Sequence, residues 1–394
     1  MTVSLIEVAP DVVDPLSAKP DFRRRRESLI RAARSFTATA EVVLICNPKD
    51  IYYFTGVQEG ISWLMVAETE TVVVTRHLME HEVREIAWDC EVLLPSRHST
   101  ERPDVELFVV FELKKRRLLH AVIEPAKIVA SSYLALTLHA SQADLDLHAV
   151  TGLTEELRAI KDAGEIALIR RCAEIASEAF LQLMSGGASR LVGKTERELA
   201  TELERNMVSL GADRQGFPAT GIIVASGPNA ANAHHRPGLR RVSPGEGVLI
   251  DWGAELSGYR SDMTRTVFVE SVPEYALEAY PVVEDALKAA SKLLAVGELM
   301  GEIDRAAREH VILSGLPEFH YGVGHGVGLD IHEGPWLRAH STDILASDMV
   351  TTIEPGIYLP GIGGIRIEDL FHVLPAGPVS LGTLPTHLDA MVIG

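Results

Sequence analysis

The 394-residue chain is 46% hydrophobic and 23% charged, values of an ordinary soluble globular protein with room for about two or three domains. Its 37 basic against 55 acidic residues give a formal charge of −18, which argues against a nucleic-acid or anionic-membrane partner and favours small molecules or peptides as ligands. Three scattered cysteines, Cys46, Cys90 and Cys172, exclude a disulfide framework, and MTVSLIEVAPDVVDP lacks the basic start and apolar run of an export signal, so a reducing cytoplasm without a membrane span is expected.

Residues 22–34, FRRRRESLIRAAR, place Phe22, Leu29, Ile30 and Ala33 near helical spacing, which predicts a first helix with the arginine run on its wet face. Up to about residue 150, the β-rich runs EVVLIC, TVVVT, EVLLP and AVIEP alternate with helix-compatible stretches, as in a smaller α/β domain over residues 1–153. Residues 154–394 open differently, on long helices. Ile166, Ile169, Cys172, Ala176, Phe180 and Leu183 make one apolar stripe that ends at Ser185-Gly186-Gly187. Thr195 and Glu198 form a capping box for a second helix, whose Leu199, Leu203, Met207 and Leu210 lead to Gly211. GASRLVGKT is no phosphate loop: five residues rather than four separate Gly187 from Gly193, and a helix precedes it. Then come strands (GIIVAS, VLIDWG, TRTVFV), a helical block from about 274 to 314, and more strands (VTTIEPGIY, GIRIEDLFHV). Helices, sheet, helices, sheet suggest two similar halves.

Asp251 and Asp262 lie at equal distances from the point between Leu256 and Ser257, and Glu354 and Glu368 are symmetric about Gly361. If both stretches are hairpins folded at those points, each carboxylate sits directly opposite its mate. Like charges so placed, flanked by Val, Leu and Ile, are costly to keep ionised unless a cation lies between them. Between the pairs stands GVGHGVGLDIHEGP, with glycines at 322, 324, 326 and 328 around His325 and with His332 seven residues on. Glycine permits the close backbone approach that a crowded site needs. Four carboxylates and one imidazole suit Mn²⁺, and also Co²⁺, Fe²⁺ or Zn²⁺, and four acids imply more than one ion. His77 and His81 lack a third ligand and read as a solvated face, and His235 points away from His234 if that segment is extended.

The strings DWGAELSGYRSDMTRT, GHGVGLDIHE, IEPGIY and RIED, with the opening LRAIKDAGEIALIRRC, resemble the motifs of the pita-bread metallopeptidases, most closely aminopeptidase P and prolidase. The likeness covers the chain from about residue 155, and the first half resembles that group's N-terminal domain more loosely. It implies an α+β protein: a C-terminal catalytic pita-bread domain preceded by a smaller α/β, RNase H-like domain. It further implies Asp251, Asp262, His325, Glu354 and Glu368 as ligands of two divalent metal ions, Mn²⁺ first among them, with Asp262 and Glu368 bridging. His234 and His332 would lie by the reacting amide.

A pair of such ions lowers the pKa of a shared water, so that hydroxide attacks an amide at neutral pH. Glu354 is then the proton shuttle, and His332 and His234 hydrogen-bond the oxyanion or the scissile amide. Arg366, two residues before Glu368 and on its face of the strand, either orients that carboxylate or binds a substrate carboxylate. The implied function is cleavage of the amide bond before proline in short peptides, by a homodimer whose N-terminal domain closes the site, with Trp63 or nearby loop residues as a lid. The chain departs from aminopeptidase P and prolidase at Tyr321, beside His320, where they carry a histidine four residues before the metal-binding one. Tyr321 therefore keeps open hydrolysis of a small non-peptide C–N bond, as in creatinase, and a binding protein without chemistry is the third reading.

Overall fold

The computed structural model describes residues 20–95, 104–218 and 221–394. They form two compact units, residues 20–158 and Ala159–Gly394.

The first unit is built on a six-stranded sheet in the spatial order Glu91–Leu93, Thr71–Thr75, Ile61–Ala67, Val42–Ile45, His120–Ile123, Asp146–Ala149. Its inner pairings around Ile61–Ala67 are antiparallel and its outer ones parallel. The strand Val42–Ile45 is buried at every position, as a continuous apolar run in mid-sheet should be. Trp63, only 2% exposed, packs in this core with Val42, Leu44, Met65 and Leu113. The indole expected as a lid is therefore structural, part of a strand that is buried at four consecutive positions, Trp63 to Val66.

The helix Phe22–Phe36 forms where its spacing predicts, but its arginines divide. Arg23 and Arg24 are exposed, whereas Arg25 and Arg26 are buried. Arg25 donates to the Tyr53 carbonyl and Arg26 to that of Phe54, each at 2.9 Å, and Arg26 also pairs with Asp89. Those carbonyls end the helix Pro48–Thr55, where unpaired C=O groups carry partial negative charge and attract cations. Two guanidinium groups are drawn inward by a helix terminus that the charge run does not reveal.

The first unit ends at Arg158, in the last turn of the helix Leu153–Ala159. Thr154 donates to Glu124 at 2.6 Å and Arg158 to Asp50 at 2.8 Å, both among buried groups, and these bonds hold the helix to the first unit.

In the second unit the helix Ala163–Met184 carries the expected stripe, with Ile169, Cys172, Ala176, Phe180 and Leu183 buried. It packs against the helix Glu196–Ser209, which starts with the Thr195–Glu198 capping box. The indole N–H of the fully buried Trp252 donates to Ala176 O at 2.9 Å and its ring stacks on Phe180 at 4.7 Å, locking helix to sheet. A second packed helix pair, Glu274–Ser291 and Met300–Leu313, precedes the second group of strands. The two main sheets are largely antiparallel. One runs Val392–Ile393, Met263–Val269, Gly247–Trp252, Ile223–Ser226, and the other Glu333–Leu337, Gly324–Gly326, Val350–Ile353, Asp369–His372, Val379–Ser380. An antiparallel bridge between Thr264 and Glu368 joins them. Among the described residues no helix is long and apolar enough to cross a membrane, and Cys46, Cys90 and Cys172 are all free thiols.

Candidate active site

The first hairpin turns at Ser257-Gly258, both with positive φ (50° and 80°), as a two-residue hairpin loop requires. Glycine meets that requirement at little cost, which centres the turn one residue boundary later than the symmetry of the two aspartates suggests. Asp251 consequently faces Thr264, not Asp262. The two aspartates are offset neighbours rather than opposed, and the expected pairing is corrected to that extent. Gly253 permits the crossing, since a Cβ there would lie 1.8 Å from the Ser261 carbonyl. In the second hairpin the symmetry holds. Gly356 faces Arg366 and Ile353 faces Asp369 in one continuous register, so Glu354 and Glu368 occupy matching positions where the two ladders meet.

His325 reaches the same place from a third strand. Cβ atoms at Gly324 and Gly326 would lie 2.0 Å from the carbonyls of Thr352 and Gly334, so only glycines let this strand fit between its neighbours. The His325 amide donates to Thr352 Oγ1, and its Nδ1 lies 3.1 Å from Gly326 O, which places the ring proton on Nδ1. Nε2 is left facing the acids, 3.3 Å from Glu354 Oε1 and 3.7 Å from Asp262 Oδ2.

Ligand atoms of Asp251, Asp262 and Glu368 lie within 4.8 Å of one another, and so do those of His325, Glu354 and Glu368, and of Asp262, His325 and His332. Asp251 Oδ1, Asp262 Oδ1 and Glu368 Oε1 are buried without a hydrogen-bond partner among the described residues. Burial raises the pKa of all three acids. For Asp262 and Glu368 the neighbouring carboxylates push it further, well above the usual range, while at Asp251 the Arg366 guanidinium opposes the rise. Four acids meet one guanidinium. Orphaned carboxylate oxygens beside a free imidazole nitrogen fit a pair of divalent cations, which relieve the repulsion and accept the lone pairs.

Arg366 is buried, with its Nε and both Nη atoms engaged: Thr264 Oγ1 at 3.0 Å, Tyr358 OH at 2.8 Å, Ala233 O at 3.2 Å, and Asp251. Its carboxylate partner is Asp251 rather than the expected Glu368, which it reaches only through Thr264, whose hydroxyl donates to Glu368 Oε2 at 2.7 Å. The hydroxyl of Tyr321 is likewise taken up, 2.8 Å from that of Tyr358 and 3.2 Å from Glu354 O. His332 stands edge-on to His325, ring centroids 4.4 Å apart. Desolvation and then the His325 ring lower its pKa to about 4, and His234 is close enough to add to that effect. His235 points away from its neighbour, to the buried Glu196 at 2.8 Å.

Several supporting residues escape a reading of the motifs. Thr264 and Tyr358 connect Arg366 to the acids and to Tyr321, and each stands an even number of residues from a carboxylate, the one available hint. Glu196 accepts from Ser226, Asn229, His235 and Gly238, and so fixes the segment that carries His234. Burial opposes its ionisation, yet those donors bring its pKa below the ordinary value. Asp304 accepts from the Val323 amide, and Arg308 donates to the carbonyls of Phe319 and Tyr321, anchoring the glycine-rich segment to the helix Met300–Leu313.

The fold and this cluster define a two-domain metallopeptidase of the pita-bread type. Residues 25–160 match the creatinase/prolidase N-terminal domain and residues 167–375 match metallopeptidase family M24; the chain belongs to metallopeptidase family M24. It is 32% identical over 342 residues to an Xaa-Pro dipeptidase of Pyrococcus furiosus, covering 85% of this chain and 91% of that one. Among solved structures, an Xaa-Pro dipeptidase from Bacillus anthracis superposes with a TM-score of 0.85 at 29% identity, covering 95% of this chain and all of that one. The prolidase from Thermococcus sibiricus gives a TM-score of 0.83 at 32% identity, covering 94% of this chain and 99% of that one.

Proposed function

We propose that Asp251, Asp262, His325, Glu354 and Glu368 hold two divalent ions, Mn²⁺ foremost, and that the protein hydrolyses the amide bond before proline in short peptides. One observation carries the reading: three buried carboxylate oxygens without partners among the described residues converge beside the free Nε2 of His325. Relatives named Xaa-Pro dipeptidase support the substrate class over nearly the whole chain. Ions bound there supply an acidified water and a polarised carbonyl.

The chain's own groups divide the remaining work. Glu354 has the most exposed carboxylate of the four, its side chain 17% accessible against 9% and 4% for Asp251 and Asp262, so it can meet a substrate and carry the proton to the leaving nitrogen. His332, neutral at pH 7 because its pKa is near 4, keeps one ring N–H to donate to the developing oxyanion, and His234 stands beside it. Arg366 holds Asp251, and through Thr264 Glu368, in position. Tyr321, which motivated the non-peptide alternative, spends its hydroxyl on Tyr358 and on the backbone of Glu354, and acts as a brace. The free thiols support a reducing cytoplasm as the working compartment.

The test is hydrolysis of Ala-Pro, Ala-Pro-Ala and Ala-Ala by chelator-stripped protein resupplied with Mn²⁺, Co²⁺ or Zn²⁺. Restored cleavage of Ala-Pro or Ala-Pro-Ala but not Ala-Ala is expected, and the preferred peptide separates a dipeptidase from an aminopeptidase. Failure on both proline peptides with every metal overturns the proposal.

A further inference from the structure

We infer that His120, Asp146 and His148 form a separate transition-metal site in the N-terminal unit, selective for a zinc-like ion. Parallel pairing sets His120 beside Asp146 on adjacent strands, and strand alternation puts His148 on the same face two residues on. His120 Nδ1 lies 3.5 Å and His148 Nε2 3.2 Å from the same oxygen, Asp146 Oδ2, and one ligand atom of each residue lies within 4.8 Å of the others. Ligands at the usual zinc distances in a tetrahedron are about 3.3 Å apart, which the two nitrogen-to-Asp146 distances match.

The two nitrogens that face Asp146 are shut off from solvent and have no hydrogen-bond partner among the described residues. A pair of histidines that merely decorated the surface would turn these atoms to water. Entry is open, because the Asp146 side chain is 60% exposed. Two imidazoles and one carboxylate suit Zn²⁺, Co²⁺, Ni²⁺ or Cu²⁺, and they suit hard Mg²⁺ or Ca²⁺ poorly. This donor set differs in kind from the oxygen-rich one of the second unit. Asp146–Ala149 is the edge strand of its sheet, so a bound ion would cross-link that edge to the strand His120–Ile123.

The experiment measures zinc bound per full-length chain by elemental analysis after equilibrium dialysis at pH 7.5. Wild type should bind one zinc more than H120A/H148A, while the two hydrolyse peptide equally when supplied with manganese. In a D262N/E368Q chain, one zinc should remain and should disappear on adding H120A/H148A. The milder D146N should lower zinc affinity at least about tenfold, a loss of roughly 1.4 kcal/mol, and covers the case in which the double variant fails to fold. Equal zinc content in wild type and H120A/H148A, or unchanged zinc affinity in D146N, overturns the proposal and leaves Asp146 as a neighbour of two imidazoles without an ion.

Discussion

Both units bury carboxylates, and they treat them in opposite ways. In the first unit Asp50 is 1% exposed, yet it meets Arg158 at 2.8 Å and Lys127 at 3.1 Å, while Glu124 accepts from the Thr154 hydroxyl. Two acids there face two cations, and the group is neutral and closed. In the second unit Asp251, Asp262, Glu354 and Glu368 share, among the described residues, Arg366 alone, and three of them keep an orphaned oxygen there. A buried acid with its partners in place is structural; a set of acids left short of positive charge is built to receive a cation. Burial by itself therefore does not mark a functional carboxylate. Unmet demand does.

The largest expected effect tests what the least buried member of that set does. Glu354→Gln keeps size and one acceptor but removes the proton acceptor, so kcat should fall about 10²–10⁴-fold with the fold retained. Steady-state rates on an Xaa-Pro dipeptide measure it, and a fall of less than about tenfold would assign the proton transfer elsewhere.

The comparison itself is broken or kept by removing one cation from each unit in turn. Arg366→Met leaves Asp251 as an uncompensated buried charge and should cost about 3–5 kcal/mol in the metal-free protein and about 10–100-fold in metal affinity. Arg158→Met leaves Asp50 with Lys127 and Thr154, and should cost about 2 kcal/mol with metal content unchanged. Urea titration and metal analysis of both variants decide the matter, and equal loss of metal in both would erase the distinction.

A subtler consequence concerns pH. Because Asp262 and Glu368 are raised well above their unfolded values, their contribution to stability is complete below about pH 4 and is lost as pH climbs through the raised range. Chelated protein should thus melt at progressively lower temperature as pH rises from 5 towards 8. Metal requires the ionised acids and so binds more tightly over the same interval, widening the gap between loaded and chelated melting curves. Parallel curves would mean that the acids are not the ligands. The smallest effect is expected for Tyr321→Phe, which removes a hydroxyl shared with Tyr358 and should cost about 1 kcal/mol, with kcat changed less than about fivefold. A large loss of kcat would return Tyr321 to the reaction itself.

Much of this arrangement was legible in the chain. Side-chain periodicity exposed the stripe from Ile169 to Leu183, and local capping chemistry exposed Thr195 and Glu198. Both depend on residues a few positions apart, which the helix brings together whatever surrounds it. The Glu354 and Glu368 match followed from symmetry about Gly361, because that hairpin folds where its glycine stands. The first hairpin did not oblige: Ser257 accepts a left-handed conformation beside Gly258, and one step in the turn moves Asp251 opposite Thr264.

The four acids and the imidazole proposed as ligands, and the order of helices and strands, were therefore legible in sequence alone, since they follow from residue type, spacing and short-range geometry, and the family was legible in the likeness of its motifs. Tertiary structure alone decided which partner each charge would find. Arg25 and Arg26 turned inward to the end of a helix, Trp63 entered a core, Arg366 chose Asp251, and His120 met Asp146 and His148 across parallel strands far apart in the chain. Such contacts join residues from about twenty to over a hundred positions apart, and no local pattern records which distant group will arrive.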